Sequence, residues 1–355
     1  MSYQKNEKRS RRYMLANALA GVTATYLPSF SARAQTGALD KIVFGLGNLD
    51  VMFSAGFVAL KMGYFKDAGL DASFIDCQNG PRARQMLAAG QVNIVAAASF
   101  DPIVVTIAGK STTIVCGIDQ RLPYANVVVR KEDFDSGKIK SFADLAGKRI
   151  GVSAPKSAFW LMAVQMAEAA GLKSIDIRGI GDTNAMLAAL KSKQVDASMA
   201  TIAMMEIAEK DGWGVPIVSI NNPDVWRKAI GLGGDVQGQW IYGLESFIRA
   251  KPATVQAFIT GWVKGTDYIM ANRPEAVADV IHEDYLSSFK KESVTQNIRV
   301  LKDKVWSKDN LVTADAYKRV VTLMSSDRLV SNAEAAKSPF EIAVDMSFVK
   351  KARGL

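Results

Sequence analysis

Short runs of β-branched and apolar residues alternate with helix-like stretches, and this alternation occurs twice along the chain. In the first copy, the pattern predicts strands over residues 41–45, 72–77, 92–97 and 113–118, with helices over 56–62, 81–89 and 102–108. In the second copy, it predicts strands over 149–153, 174–178, 195–199 and 215–220, with helices over 158–170 and 183–191. Strands that alternate with helices form a mostly parallel sheet covered by helices. The pattern therefore predicts two α/β lobes, each with its own sheet.

A local sequence echo supports the internal repeat. Residues 87–93 (Leu-Ala-Ala-Gly-Gln-Val-Asn) are echoed 103 positions later by residues 190–196 (Leu-Lys-Ser-Lys-Gln-Val-Asp). Each segment ends a predicted helix and opens the third strand of its lobe. Because the surrounding strand order also matches, the echo indicates that the two lobes share one topology.

Two extended segments are predicted to join the lobes. Residues 126–130 form a strand run that leaves lobe one, and residues 239–242 form its counterpart after the glycine-rich loop 231–238. These crossings predict a two-strand hinge, with lobe one at residues 40–127 plus 242–355 and lobe two at 128–241. Helices that begin near Pro252 and Pro274, and one over 311–324, are expected to pack on lobe one.

The N-terminus has the features of an export signal. A basic segment containing Arg11 and Arg12 precedes a weakly apolar stretch over 13–27, and Ala32-Arg33-Ala34 predicts cleavage after Ala34. The paired arginines resemble a twin-arginine signal, although Met14 leaves the general secretory route open. The apolar stretch is too short for a membrane anchor and is interrupted by Pro28. Residues 1–34 are therefore predicted to direct export to the periplasm.

The charge distribution argues against a nucleic-acid partner. The formal net charge is +9, but six basic residues and one acid lie in the first 34 positions, so the remainder carries +4. Acids and bases are mixed along that remainder, which lacks the basic stripe that nucleic acid requires. The exported protein is expected to be a monomer.

The two cysteines are predicted to remain unpaired in an oxidising compartment. Cys77 ends the second predicted strand and Cys116 ends the fourth. In the expected sheet order these strands lie at opposite edges, several strand spacings apart, which is too far for a disulfide. Both are expected to be small buried hydrophobic residues.

Four stretches of the chain resemble a known family. Residues 59–70 resemble the A-L-x-x-G-Y-F-x-x-x-G-L signature of the nitrate/sulfonate/taurine type of periplasmic binding proteins, also called SsuA/THI5-like. Gly80 with residues 87–94, residues 142–152, and Lys251-Pro252 with Val255 and Phe258 also agree with that family. The resemblance covers about residues 40–275. It implies a type II periplasmic binding fold whose lobes close on a small ligand and dock on an ABC transporter permease.

The predicted site lies in the cleft between the lobes. Ligands of open α/β sheets bind beyond the carboxyl ends of the strands, and two hinged sheets bring those ends to one crevice. The loops that follow the strands supply the predicted ligand-binding residues, which are Asn48, Asp50, Phe53, Ser54, Gly80, Ser99, Phe100, Lys156, Ser157, Trp160, Asp182, Thr201 and Trp240.

Some of these residues have a structural alternative. Lys156 and Ser157 at a helix N-terminus are suited to hold an anionic head group, and relatives bind sulfonates or similar groups at this position. Many relatives have a Gly-Ser or Gly-Thr pair where this chain has Lys156-Ser157, and this departure weakens the prediction of an oxyanion ligand. The alternative is that Ser157 is only a helix N-cap and Lys156 is solvated. The large rings could stack on a ligand or pack between the lobes. An Asp50 that faces the ligand would favour an amine.

The predicted function is capture of a small organic anion, a sulfonate or an aromatic carboxylate, for a membrane permease. The chain has one histidine, His282, no His or Cys pair with metal-ligand spacing, and a dinucleotide-like run whose last glycine is replaced by Asp50. We therefore predict no catalytic residue, cofactor or metal. The alternative is an enzyme on the same fold, similar to the synthase of the thiamine pyrimidine.

Overall fold

In the computed structural model, which describes residues 39–232, 235–325 and 328–355, the chain folds around two five-stranded sheets. The predicted export signal at residues 1–34 lies outside the described residues. The strands are β1 (Asp40–Leu46), β2 (Leu70–Asp76), β3 (Ile94–Ala98), β4 (Thr112–Gly117), β5 (Asn126–Arg130), β6 (Arg149–Val152), β7 (Asp176–Gly179), β8 (Ala197–Ala200), β9 (Gly214–Val218) and β10 (Gln239–Leu244).

Helices flank both sheets, and two short 3-10 turns occupy Val51–Phe53 and Phe142–Leu145. The helices are α1 (Ser54–Lys61), α2 (Tyr64–Asp67), α3 (Gly80–Ala88), α4 (Asp101–Ile107), α5 (Lys131–Asp135), α6 (Ala158–Ala169), α7 (Thr183–Lys191), α8 (Ile202–Lys210), α9 (Pro223–Ile230), α10 (Glu245–Ala250), α11 (Pro252–Ala271), α12 (Pro274–Tyr285), α13 (Lys291–Lys304), α14 (Ala314–Met324), α15 (Asn332–Ala335), α16 (Phe340–Ala343) and α17 (Ser347–Arg353).

The two sheets have the same strand order. The first is β2-β1-β3-β10-β4 and the second is β7-β6-β8-β5-β9. In the first sheet β1 pairs in parallel with β2 and β3, and in the second sheet β6 pairs in parallel with β7 and β8. The strands β10 and β5 run antiparallel to both of their neighbours. The predicted two-lobed α/β fold is thus confirmed, and its sheets are mixed because each receives one strand from a crossing segment.

The crossing strands lie in the sheets that they enter. All of β5 belongs to the second sheet and all of β10 belongs to the first. The predicted lobe boundaries at 127/128 and 241/242 fall inside these two strands. Each crossing strand fills the position between the third and fourth strands of its sheet, so neither lobe's sheet is contiguous without it.

The cysteines lie at opposite edges of the first sheet, as predicted. Cys116 is on β4, and Cys77 directly follows β2. Both thiols are free and buried, and burial raises the pKa of Cys77 to about 11. They are therefore packing residues rather than a crosslink.

The segment 59–70, which carries the family signature, packs on the long helix α11 in the core of lobe one. Phe65 is buried and stacks on Phe258 with ring centroids 5.1 Å apart. A Cβ atom at Gly261 would lie 2.4 Å from the ring of Phe65, so only glycine admits the ring against this helix. Gly265 allows a closer approach still, because a Cβ atom there would lie 2.1 Å from the carbonyl oxygen of Ala55 on α1.

The C-terminal helices pack on lobe one and also reach lobe two. Helix α11 packs on α1 and α2, as expected. Helix α13 contacts α8, where Asn297 Nδ2 donates to Glu206 Oε2 at 2.6 Å. Lys290 forms a second link, 3.2 Å from the carboxylate of Asp211. Within the described residues, no helix has the length and apolar character needed to cross a bilayer.

Candidate functional site

A cavity lies between the two lobes, where the carboxyl ends of the sheet strands meet. Its wall combines residues that follow β1, β2 and β3 with residues from the second sheet and the crossing segments. The cavity volume is about 50 Å³, several times the roughly 10–15 Å³ that one buried water requires. The space therefore suits a small molecule of several heavy atoms.

The first turns of four helices contribute to this wall. Gly80 begins α3, Ala158 begins α6, Thr183 begins α7 and Ile202 begins α8, and all four line the cavity. The amides of the first residues of a helix have no partner within the helix, and the helix dipole makes this end positive. Three of the four helices, α6, α7 and α8, belong to lobe two.

Capping side chains take only the amide of the third residue in each of these helices. The acceptors are Asn79 for Arg82, Ser157 for Trp160, Asp182 for Ala185 and Thr201 for Met204, at 2.9 to 3.2 Å. These caps leave the amides of the first two residues of α6, α7 and α8 to a bound group, whereas in α3 they leave only that of Gly80, because Pro81 has no N–H. This arrangement can hold an anion or another strong hydrogen-bond acceptor without a cation.

Lobe one supplies an acidic group to the same cavity. Asp50 is 8% exposed, its Oδ1 accepts from the amide of Met52 at 2.8 Å, and the side chain of Thr201 from lobe two lies beside its carboxyl. Burial raises the pKa of Asp50 from 3.8 to about 6, and the polar groups of Met52 and Thr201 only partly offset that effect. Asp50 and Thr201 thus connect the lobes at the edge of the cavity.

Two amide side chains of lobe one line the cavity with an unused polar atom. Asn48 Nδ2 and Gln239 Oε1 are buried and have no hydrogen-bond partner among the described residues. Buried polar atoms without partners are rare in folded proteins because each loses its hydration. The two atoms are therefore candidates to donate to and accept from a ligand.

The rest of the wall is apolar and aromatic. Phe53 and Tyr124 come from lobe one and the crossing segment, and Phe159 comes from α6. The rings of Tyr124 and Phe159 meet edge to face with centroids 6.1 Å apart, and the Tyr124 hydroxyl donates to the carbonyl of Gly238 at 2.8 Å. Met52, Ile202 and Leu301 complete the apolar surface. Such a wall favours a flat or partly apolar ligand.

The structure brings some of the predicted ligand-binding residues together at this cavity and places others elsewhere. Those that line it are Asn48, Asp50, Phe53, Gly80 and Thr201. Those that do not line it are Ser54, Ser99, Phe100, Lys156, Ser157, Trp160, Asp182 and Trp240.

The loop predicted to hold an anionic head group uses its polar side chains for structure. Ser157 caps α6 by accepting from the amide of Trp160 at 3.2 Å. Lys156 has a left-handed backbone (φ 59°), its side chain is exposed, and its carbonyl accepts from Arg84 Nη2 at 3.4 Å. The anion-holding potential of this loop therefore lies in the first amides of α6 and not in the lysine.

Trp240 and Trp160 do not line the cavity, although each is next in sequence to a residue that does. Gln239 lines the cavity, and the next residue on β10, Trp240, is on the opposite face because strand side chains alternate. Trp240 stacks on Tyr317 at 5.7 Å, and its Nε1 donates to Gln237 Oε1 at 2.8 Å. On α6, Phe159 lines the cavity, whereas Trp160 is about 100° further round the helix.

The remaining predicted residues stabilise the surrounding backbone. Ser54 donates to the carbonyl of Val51, and Phe100 is fully buried in the core. Ser99 joins the end of β3 to the second crossing segment, since its hydroxyl donates to the carbonyl of Gln237 at 2.8 Å. Asp182 caps α7 from an exposed position.

Gly80 leaves room for a buried ion pair beneath the cavity. A Cβ atom at residue 80 would lie 2.9 Å from Oδ2 of Asp101. Asp101 is fully buried and pairs with Arg84. Burial raises the pKa of Asp101, and the guanidinium of Arg84 opposes that shift. The wall at Gly80 therefore depends on glycine for space, not for backbone conformation.

Several cavity residues were not predicted from the sequence. Tyr124 and Gln239 lie on the crossing segments, Phe159 lay inside the predicted anion loop, and Leu301 comes from α13. The position of Tyr124 next to a predicted hinge strand could have indicated it. No local pattern marks Leu301, because its place depends on how the C-terminal helices fold back.

The titratable side chains among the described lining residues of the cavity are the carboxyl of Asp50 and the phenol of Tyr124. Its described lining residues include no histidine or cysteine, and His282 Nε2 is 2.8 Å from the carbonyl oxygen of Phe289 on its own side of lobe one. No group of His, Cys, Asp and Glu suited to a metal ion occurs in the described part of the chain. The polar groups present are suited to hydrogen bonding.

Comparison with known sequences identifies relatives of this chain. The model of the family described as NMT1/THI5 like matches residues 51–276. A protein of Brucella abortus strain 2308 described as a binding protein is 29% identical over 191 residues, which are 53% of this chain and 54% of that protein. The matched part is thus only about half the length of these Brucella relatives. A 4-amino-5-hydroxymethyl-2-methylpyrimidine phosphate synthase of Aspergillus parasiticus is 25% identical over 239 residues, 63% of this chain and 65% of that protein.

Solved structures share the fold at low sequence identity. A protein from Bordetella bronchiseptica RB50 has a TM-score of 0.76 at 23% identity, covering 88% of this chain and 97% of that one. The periplasmic nitrate-binding protein NrtA of Synechocystis PCC 6803 has a TM-score of 0.68 at 10% identity, covering 89% of each chain. The alkanesulfonate-binding protein SsuA of Xanthomonas axonopodis pv. citri, bound to MOPS, has a TM-score of 0.65 at 15% identity, covering 81% of this chain and 93% of that one.

Proposed function

Because this chain belongs to the NMT1/THI5-like family, we propose that it is the periplasmic substrate-binding component of an ABC importer. It captures a small organic molecule between its lobes and delivers it unchanged to a membrane permease. The observation that carries this proposal is the cavity itself, whose wall takes Asp50 and Phe53 from one lobe and Phe159 and Thr201 from the other. A site divided in this way is completed only when the lobes close on the ligand.

The ligand that we propose is a small organic anion of the sulfonate or aromatic carboxylate class. The first residues of α6, α7 and α8 line the cavity from lobe two, and the amides at such helix ends suit an acidic head group. The rings of Phe53, Tyr124 and Phe159 suit an apolar or aromatic body. Since no lysine or arginine occurs among the described lining residues, backbone amides would hold the anion.

A second candidate is an enzyme that acts on a pyrimidine. The match to the Aspergillus parasiticus synthase favours it. The absence of histidine and cysteine from the described cavity wall supports binding over chemistry, because acid–base and nucleophilic catalysis most often use those side chains. Turnover of a bound compound separates the two candidates.

The proposed function is tested by thermal denaturation of the purified protein with a panel of sulfonates, aromatic acids, nitrate, polyamines and pyrimidines. A ligand that binds only the folded state raises the melting temperature. Mass spectrometry then compares the recovered compound with the one added. A stabilising compound that is recovered unchanged supports the importer role, whereas its conversion to a product refutes that role. Stabilisation by cationic compounds alone would refute the anion class.

Two matched variants test whether capture occurs in this cavity. Ala158→Leu adds a larger side chain at the first residue of α6, where it would occupy the cavity. Ala253→Leu makes the same change in the first turn of α11, where the residue is exposed and does not line the cavity. We expect the first variant to lose the thermal response and the second to keep it. If ligand raises the melting temperature of the two variants equally, the ligand binds outside this cavity.

A further inference from the structure

The two lobes contribute different polar groups to the cavity. Lobe two contributes the first turns of α6, α7 and α8, whose amides donate hydrogen bonds. Lobe one contributes the acceptors Asp50 and Gln239 beside two donors, Asn48 Nδ2 and the first turn of α3. A ligand that fills this small volume therefore meets donors from both lobes, whereas the side-chain carboxylate and amide oxygens that line it come from lobe one.

The two acceptors that lobe one contributes, Asp50 and Gln239, are both buried. Gln239 is 6% exposed and its Oε1 has no hydrogen-bond partner among the described residues. Asp50 is similarly buried and is the only residue with a formal charge among the described lining residues. A plain organic anion would leave Gln239 Oε1 unpaired and would place its negative charge near that of Asp50. Both effects oppose its binding.

Helix capping alone does not account for an aspartate at position 50. Capping needs one oxygen, and Oδ1 already accepts from the amide of Met52. The amide oxygen of an asparagine would cap this turn equally well without a buried charge. The charge of Asp50 is instead useful when a ligand directs an N–H group at it, because hydrogen bonds to ionised acceptors are about twice as strong as neutral ones.

We propose that lobe one selects ligands that carry an N–H donor, and that Asp50 and Gln239 are the residues that recognise it. This proposal rests on the proposed function, since it names the ligand class of the same cavity. The captured molecule is then an organic acid that also bears an amino or comparable N–H group. Its acidic end faces the helix N-termini of lobe two and its donor end faces lobe one, where Asn48 Nδ2 can donate to an acceptor next to the donor group.

Matched pairs of probe compounds test this selection. 4-Aminobenzoate is compared with 4-methylbenzoate, and 3-aminopropanesulfonate is compared with butanesulfonate, by titration calorimetry on the intact protein. Within each pair the acidic group is retained and an N–H donor is replaced by a methyl group. We expect the amino compound of at least one pair to bind about tenfold more tightly than its partner, as a hydrogen bond to a charged acceptor allows.

Two aspartate variants with the same local geometry identify the residue responsible. Asp50→Asn keeps the capping oxygen and removes the charge, and we expect it to abolish the preference, because the amino compound loses its charged acceptor while the methyl compound is no longer repelled and binds at least as tightly as before. Asp345→Asn is the matched control, because Asp345 Oδ1 also accepts from the amide two residues later, at 2.9 Å, away from the cavity. It should retain the full preference. Gln239→Met, which removes the Oε1 acceptor, provides a second test if Asp50→Asn does not fold.

The outcomes separate this proposal from the proposed function. Equal binding within both pairs, tighter binding of the methyl compounds, or a preference that survives in both Asp50→Asn and Gln239→Met would overturn donor selection and leave capture intact. Binding of nitrate or another acid without N–H groups, with no response to either amino compound, would do the same. Conversion of a bound compound would instead refute the importer role.

Discussion

Replacing Asp50 by asparagine should stabilise the unliganded protein at neutral pH but not at acidic pH. In the folded state the pKa of Asp50 is raised from 3.8 to about 6, chiefly by burial. Between these two values the folded state binds more protons than the unfolded state, so stability falls as the pH rises through this window. Asparagine resembles the protonated carboxyl and does not ionise, so the Asp50→Asn variant does not lose this stability as the pH rises.

The magnitude follows from the size of the shift. A rise of about two pKa units corresponds to about 3 kcal/mol at pH values above both pKa values. At pH 4 most of this loss in the free energy of unfolding has not yet occurred, because Asp50 is still protonated in the folded state. We therefore expect the stability advantage of Asp50→Asn over the original protein to be about 2–3 kcal/mol larger at pH 7.5 than at pH 4.

Urea denaturation of the two proteins at both pH values measures this difference. Other titrating groups cancel in the comparison because both proteins contain them. These include Glu206 beside α13, whose pKa burial raises to about 7. A difference between Asp50→Asn and the original protein that is the same at pH 4 and pH 7.5 would refute the burial of Asp50.

Three further substitutions test the packing around the site. Gly265→Ala should destabilise the fold by about 3 kcal/mol or more, measured by urea denaturation, because the new methyl group would overlap the Ala55 carbonyl on α1. Arg84→Met should cost about 3–5 kcal/mol because it leaves the carboxylate of Asp101 buried and unpaired, and adding Asp101→Asn should recover part of that loss. Trp240→Phe should lose about 1 kcal/mol with its hydrogen bond to Gln237. It should leave ligand affinity unchanged in calorimetry, and a large loss of affinity would place the ring in the site.

The fold was predictable because its sequence signals are local. The alternation of strand and helix patterns identified the strands of both sheets to within about two residues, and the echo between residues 87–93 and 190–196 marked the equivalent positions of the two lobes. The placement of Cys77 and Cys116 at opposite sheet edges followed from strand order. Each of these features depends on neighbouring residues, whose backbone geometry repeats with a fixed period.

The site was predictable only as a set of loops. The loops that follow β1, β2 and β8 do reach the cavity, with Asn48, Gly80 and Thr201 among their residues. Which side chain of a loop faces the ligand depends on angles that the sequence pattern does not resolve. The prediction missed by one residue at two positions: the cavity is lined by Gln239 where Trp240 was predicted, and by Phe159 where Trp160 was predicted.

The sequence by itself determined two repeated α/β lobes, their family and the strand ends at which they bind. Tertiary structure alone decided that β5 and β10 each insert between two strands of the sheet that they enter, that α13 brings Leu301 to the cavity, and that Asp50 meets Thr201 across the cleft. The physical reason is separation along the chain. A strand or helix is stabilised by residues a few positions away, whereas the cavity is formed by side chains up to about 250 residues apart, whose contacts exist only after the whole chain has packed.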